Sequence, residues 1–257
     1  MPELPEVETM VRGLRPRVEG KTLQAVEVDD PKLSHLRGAI LLPTRVDRLS
    51  RRGKYVLFNL GDRALVLHLR MSGRLLWARR RPTGRVRLSL RFPDGAVHFV
   101  DPRRLGTAEV VGEFKEALGP EPLGDLAWLS SALNGSRMPI KLWLMDQRKI
   151  AGIGNIYASE ILFRAGIAPE RPANALSRAE VRRLRKAIPA VLEEAIACCG
   201  TTLADGQYRG PSGEVGAFAC ELAVYGRADE PCRRCGSPIR RTVLGGRGTY
   251  ACPHCQR

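Results

Sequence analysis

From Thr22 to Val111 the apolar positions come in short runs, several of them alternating with polar residues. KYVLFNL, ALVLHLRM, RLLWA, VRLSLRF and AVHFV each have the length and β-branched or aromatic content of a strand. Phe92-Pro93-Asp94-Gly95 is a hairpin turn signal between two of them. Ahead of this region Val7, Met10, Val11 and Leu14 recur on one helical face, which predicts a helix over Leu4–Arg15 stopped by Pro16 and Gly20. Beyond a connector rich in glycine and proline (Gly119, Pro120, Pro122, Gly124) the period becomes helical. Asn155 opens one helix that ends near Gly166. Ser177 with Glu180 forms a capping box for another, running through Val181, Leu184, Ile188, Val191, Leu192 and Ala195, with Pro189 expected to kink it. Residues 200–216 read as a glycine-rich loop, and the last thirty or so as a small cysteine module. The pattern is α+β: one helix and a β-sandwich or barrel, then helices.

Hydrophobic residues make up 44% of the 257, enough for a sizeable core, and no run of eighteen apolar residues is present. The first residues lack the basic and apolar regions of a signal peptide, so a cytoplasmic protein is expected. The net charge of +15 favours a polyanionic partner. Arginines cluster: eight with no acid from Arg70 to Arg91, a group at Arg45, Arg48, Arg51, Arg52 and Lys54, and a third at Arg233, Arg234, Arg240, Arg241 and Arg247. Such runs can be plain solvated faces, but three of them in one chain point to nucleic acid.

Four of the seven cysteines lie as Cys232-x2-Cys235-x16-Cys252-x2-Cys255, the spacing of a four-thiolate structural zinc site. His254 is a weaker substitute ligand. Cys198, Cys199 and Cys220 read as ordinary buried thiols. In AGIGN, Gly152 and Gly154 allow a tight turn into a helix N-terminus, where backbone N–H groups and the Asn155 amide suit an anion. At the other end stands MPELPEVE. Met1 before a small residue is a plausible target for removal, after which Pro2 carries a secondary amine. A free α-amine has a pKa near ~8, so part of it is an unprotonated nucleophile at neutral pH. Glu3 and Glu6 follow within one turn, either as proton carriers or as acids suited to a helix start.

Together these segments resemble the formamidopyrimidine-DNA glycosylase family, which includes the endonuclease VIII type enzymes. MPELPEVE, Lys54 in RRGKY, HLRMSGRL from His68, DPRRLG from Asp101, DQRKIAGIGNIYASE from Asp146 and the four-cysteine finger match it in order along the whole chain. MPELPE with HLxMSG is similar to the formamidopyrimidine branch. The resemblance implies a catalytic β-sandwich domain with an N-terminal helix at 1–112, a linker at 113–125, a helix-two-turn-helix domain at 126–219 and a zinc-finger β-hairpin at 220–257, with DNA held between two domains. It implies a DNA-formamidopyrimidine glycosylase and DNA-(apurinic or apyrimidinic site) lyase of base-excision repair: a monomer with one structural zinc ion, acting on duplex DNA that carries oxidised purines or abasic sites. Pro2 would be the Schiff-base nucleophile, Glu3 the general acid/base and Glu6 a residue holding the site. Lys54, Asn155 and Arg247 would grip phosphate, with His68 beside them. Met71, Arg103 and Leu105 would fill the space of the extruded nucleotide. Leu105 stands where this branch usually has phenylalanine. Glu214, in a loop at 206–218 that would fold over the base, stands where a basic residue is common. The first departure bears on stacking at the wedge and the second on base preference, and three alternatives stay open: an oxidised-pyrimidine enzyme of the endonuclease VIII type, a non-catalytic damaged-DNA binder, and an RNA-binding zinc protein.

Overall fold

The computed structural model describes residues 2–204 and 206–257; Met1, a plausible target for removal, lies outside the described residues. The chain forms two compact units. One runs through Glu116 and takes in Cys198–Ala219; the other is Ala117–Ala197 with Cys220–Arg257. The stretch 198–219 therefore packs with the strands, although it follows the helices in sequence.

The first unit opens with α1 (Leu4–Val18). This helix is one turn longer than the periodicity predicts. Pro16 lies so near the end that its missing N–H and its ring disturb only the final turn, and the Glu19 N–H closes on the Arg15 carbonyl at 2.9 Å. The strands follow: β1 (Thr22–Leu23), β2 (Ala25–Val28), β3 (Thr44–Arg45), β4 (Arg48–Arg52), β5 (Tyr55–Leu60), β6 (Arg63–His68), β7 (Arg74–Ala78), β8 (Val86–Phe92), β9 (Gly95–Val100) and β10 (Thr107–Val111). They make two antiparallel four-stranded sheets, ordered β10-β6-β5-β4 and β2-β8-β9-β7, while β1 pairs with β3. The five apolar runs are β5 to β9, and Pro93-Asp94 is the two-residue loop of the β8–β9 hairpin.

Alternation puts Val56, Phe58, Leu65 and Leu67 of one sheet and Leu88, Leu90, Val97 and Phe99 of the other into one core with Val7, Met10, Val11 and Leu14 of α1. The outward residues Leu57, Ala64 and Val66 are covered in turn by Tyr55, Val111 and Phe114. Burial on both faces is why β5 and β6 read as nearly continuous apolar runs.

The second unit holds α2 (Leu129–Asn134), α3 (Ile140–Met145), α4 (Asn155–Ala165), α5 (Arg178–Ala197) and the hairpin β11 (Arg240–Leu244) with β12 (Arg247–Ala251). Gly166 ends α4 in the left-handed region at φ 69°. Ser177 and Glu180 form the expected reciprocal cap, the Ser177 N–H donating to Glu180 Oε2 at 2.7 Å and the Glu180 N–H to Ser177 Oγ at 3.3 Å. The helix α5 continues through Pro189. Among the described residues no helix is long and apolar enough to cross a membrane.

Candidate functional site

Pro2 and Glu3 are buried at the head of α1, Glu3 in the N-cap position with extended backbone. Glu6 lies one turn on, also buried, and its carboxylate bridges two distant stretches of chain. Oε2 accepts the Glu3 N–H at 2.8 Å, and Oε1 accepts the Thr201 N–H at 2.8 Å. Next to Thr201, Gly200 sits at φ +84°, and a Cβ there would lie 3.0 Å from both Glu6 Oε1 and the Tyr208 ring. Only glycine allows this approach. The buried Tyr208 hydroxyl donates to the Cys199 carbonyl at 3.0 Å, and burial with Glu6 nearby pushes its ionisation well above the usual range. The sequence singles out Pro2, Glu3 and Glu6 as one cluster. It gives no sign of Thr201 and Tyr208, since nothing local marks a partner two hundred residues away.

Lys54 is buried in the two-residue turn between β4 and β5, with Gly53 supplying the positive φ of its first position. His68 ends β6 opposite Tyr55, the rings edge to face at 4.6 Å. The Arg70 N–H donates to His68 Nδ1 at 3.0 Å, so the neutral ring carries its proton on Nε2, a donor that suits phosphate. Burial first, then the charges of Arg70 and Lys54, bring the His68 pKa down to about 4. The unfolded chain, with a histidine pKa near ~6.5, binds this proton first. Stability is therefore fully present above pH ~6.5 and is lost as pH falls toward 4, by up to about 3 kcal/mol. Denaturant unfolding at pH 8, 6 and 4.5 should show that loss in the wild type and a flatter curve in His68→Gln.

Met71 and Leu105 are 41% and 44% exposed, which is no place for core residues, and Arg103 is exposed beside Leu105. They occupy the β6–β7 and β9–β10 loops. The buried Asp101 joins those loops: it accepts the Ser72 hydroxyl at 2.6 Å and the Gly106 N–H at 2.8 Å.

In the second unit, the Gln147 side chain shapes the glycine turn. Its Nε2 donates to the Ile153 carbonyl at 2.7 Å, and its Oε1 accepts the Gly152 N–H at 2.8 Å. Asn155 follows at the start of α4, and its Nδ2 donates to the Gly248 carbonyl at 3.1 Å. The same carbonyl accepts the fully buried Lys141 ammonium at 2.9 Å, which also reaches Thr249 Oγ1 at 2.8 Å. The structure thus brings Asn155 next to Arg247, which is exposed at the start of β12. The hairpin tip, Gly245-Gly246, has positive φ at both residues, as a tight two-residue turn requires. Lys141 is a positioning residue that the sequence does not flag.

The four cysteine sulfurs lie within 4.8 Å of one another, with Sγ–Sγ distances of 3.9 Å for Cys232–Cys255 and 3.5 Å for Cys235–Cys252. Tetrahedral zinc with bonds of about 2.3 Å requires sulfurs about 3.8 Å apart, so the cluster fits one structural zinc ion. Ser237 draws the Cys235 thiol down to about 6, while burial and the neighbouring thiols push Cys255 up to about 12. Cys235→Ser should lose the zinc and, if the exposed Arg247 grips phosphate, weaken duplex binding by about ten- to a hundredfold, the scale of one charged contact worth roughly 1.5–3 kcal/mol becoming disordered. Metal analysis and fluorescence-anisotropy titration check this.

Two expectations need correction. The arginine run from 70 to 91 is not one phosphate-facing surface. Arg87 is fully buried, Arg81 pairs with Asp29 at 3.0 Å and Arg91 with Glu27 at 2.9 Å, because β2 and the segment after it lay acids alongside β8; Arg79, Arg80 and Arg85 stay exposed. The three remaining cysteines are not buried thiols either. Cys198 is half-buried, while Cys199 and Cys220 are exposed. Cys199 takes a left-handed φ of 58° as the chain leaves α5, and Cys220 lies in a short 3-10 turn whose buried residue is Phe218.

The chain matches three family models: the formamidopyrimidine-DNA glycosylase N-terminal domain over residues 1–108, the formamidopyrimidine-DNA glycosylase H2TH domain over 118–206, and the zinc finger found in FPG and IleRS over 229–257. It is 46% identical to the formamidopyrimidine-DNA glycosylase of Acidiphilium cryptum (strain JF-5) over 284 residues, covering 100% of both chains. Its fold is similar to the crystal structure of the MutM (Fpg) protein of Thermus thermophilus, with a TM-score of 0.90, 44% identity and coverage of 99% and 98% of the two chains. The Lactococcus lactis Fpg in complex with abasic-site DNA gives a TM-score of 0.90 at 35% identity, covering 99% of each.

Proposed function

The chain belongs to the formamidopyrimidine-DNA glycosylase family, and from that premise we propose how its own residues carry out base excision. The enzyme removes oxidised purines, 8-oxoguanine and formamidopyrimidines, from duplex DNA and then cuts the strand as an abasic-site lyase. The observation that carries this reading is the head of α1, where Pro2 and Glu3 are buried and the Glu6 carboxylate holds the Glu3 and Thr201 backbones together.

With Met1 removed, the Pro2 nitrogen has a lone pair. It bonds to C1′ of the damaged nucleotide as the C1′–N9 bond breaks and its electron pair leaves with the base. Glu3 moves the proton that the departing base takes up and assists opening of the sugar ring, giving an iminium between Pro2 and C1′. Loss of a C2′ proton then expels the 3′-phosphate, loss of a C4′ proton expels the 5′-phosphate, and hydrolysis of the iminium returns the amine. The nucleotide must leave the stack first, because the amine cannot reach C1′ correctly within the helix. Met71, Arg103 and Leu105 fill the gap it leaves, offsetting part of the unstacking cost. Lys54, His68, Asn155 and Arg247 grip backbone phosphates of the duplex. One zinc ion on Cys232, Cys235, Cys252 and Cys255 supplies structure, holding the hairpin that carries Arg247.

For function we divide the chain into a catalytic sandwich at 1–112, a linker at 113–125, a helix-two-turn-helix region at 126–219 and the finger at 220–257, with 198–219 serving the sandwich. The protein works as a monomer in the cytoplasm of a bacterial cell, on the nucleoid. Glu214 departs from the family's basic residue, and its carboxylate is turned back on its own loop, accepting the Ser212 N–H at 2.8 Å. Base preference is tested with two duplexes: 8-oxoguanine opposite cytosine should be cleaved and thymine glycol opposite adenine spared. The reverse result would move the enzyme to the endonuclease VIII type.

A further inference from the structure

In the second sheet Val86 pairs with Val100 and Leu88 with Phe99, which leaves Arg87 as the extra residue of a β-bulge. The bulge turns Arg87 away from the regular alternation into the interior of the unit, where it is 1% exposed. Its Nε donates to Asp30 Oδ2 at 2.6 Å, and its Nη1 donates to Asp101 Oδ2 at 3.1 Å and to the Gly106 carbonyl at 2.6 Å. The Arg87 carbonyl accepts the N–H groups of Asp29 and Asp30 at 3.1 and 3.2 Å. Asp30 then grips Arg104 through both carboxylate oxygens.

Around this cation stand the two exposed loops. Met71 and Leu105 each follow a non-glycine residue in the left-handed region, Arg70 at φ 53° and Arg104 at φ 54°. Such backbone persists only where its surroundings hold it. Asp101 ties Ser72 of one loop to Gly106 of the other. Gly73 and Gly106 both press on the Phe99 ring, for a Cβ would lie 2.9 Å from the ring at Gly73 and 2.5 Å at Gly106. The Arg87 guanidinium lies 5.4 Å from the centre of that same ring.

We infer that Arg87 is a positioning residue that locks the Met71 and Leu105 loops into one rigid wedge, so that both side chains enter the helix in register when a damaged base is extruded. The inference rests on the gap-filling role proposed above for these two side chains. A rigid wedge matters most where a base must be unstacked and kept out. At a preformed abasic site there is no base to unstack, so the chemistry at Pro2 depends on the wedge far less. A residue that merely supports the fold would reduce both reactions by the same factor.

The test is single-turnover kinetics of the full-length, zinc-loaded protein on two duplexes, one with 8-oxoguanine opposite cytosine and one with a preformed abasic site. Arg87→Met should slow excision by about 30- to 100-fold, the scale of a misplaced positioning group, while abasic-strand cleavage slows by about threefold or less. Ser72→Ala removes one hydrogen bond of the same network and leaves the buried ion pairs intact. It should give the same unequal loss at about a tenth of the size, which keeps the inference testable should Arg87→Met fold poorly. Equal losses on both duplexes in Ser72→Ala, or wild-type excision by both variants, overturn it. A wild-type protein inactive on both duplexes would instead overturn the glycosylase reading itself.

Discussion

Glu3→Gln is expected to slow excision of 8-oxoguanine by about a hundred- to ten-thousandfold, the range of a general acid/base removed from its reaction. The substitution keeps the shape of a side chain that is buried at the head of α1 but takes away its ability to carry a proton. Base release needs that proton, because the departing purine leaves with the bonding electron pair. A preformed abasic site has no base to release, so strand cleavage there should fall by a smaller factor. Parallel single-turnover assays on the two duplexes read the difference. Equal losses would mean that Glu3 serves the site only through its structure.

Glu6→Gln is expected to cost about 2–4 kcal/mol of stability, because one carboxylate accepts two buried N–H groups, from Glu3 and Thr201, and an amide can accept only one of them without opposing donors. The consequence for catalysis comes from geometry. Glu6 fixes the Glu3 backbone, and with it the nitrogen of Pro2, against the loop at 200–201. Release of either end displaces the nucleophile by a fraction of a bond length or more, and both excision and abasic cleavage should slow by about a hundredfold. Denaturant unfolding gives the stability change and borohydride-trapping rates give the catalytic one. A variant as stable and as fast as the wild type would remove Glu6 from the account.

The two substitutions divide the reaction differently. On the proposed mechanism Glu3 acts on the proton of the leaving base, so its loss should separate the two duplexes, while Glu6 acts on the position of the amine, so its loss should treat them alike. The Arg87 variant should separate them as Glu3→Gln does, but through extrusion of the base. Excision from a duplex in which the lesion faces a mismatch, and so costs less to unstack, should be partly restored in Arg87→Met and not in Glu3→Gln.

Much of this site was legible because its parts are local in sequence. The N-terminal carboxylates, the glycine turn before Asn155 and the paired CxxC knuckles each declare themselves within a few residues. So did the strands β5 to β9, whose apolar runs reflect burial on one or both faces. Other features arise only when distant segments meet. Glu6 and Thr201 are hydrogen-bonded across 195 positions, and Arg87 finds Asp30 across 57. A run of arginines read without its partners looks like a surface for phosphate. Once β2 lies against β8, Arg81 and Arg91 face acids, and the bulge at Arg87 draws that residue inside. The short strands β1 and β3 also escaped notice, because two residues carry no periodicity.

The central claim is that the Pro2 nitrogen is the nucleophile, and covalent trapping tests it most directly. Protein whose intact mass shows Met1 absent is mixed with an abasic-site duplex and sodium borohydride, digested, and mapped by tandem mass spectrometry. The account predicts a reduced sugar adduct on the N-terminal peptide at Pro2. An adduct on Lys54 or any other lysine, or none at all, would contradict it.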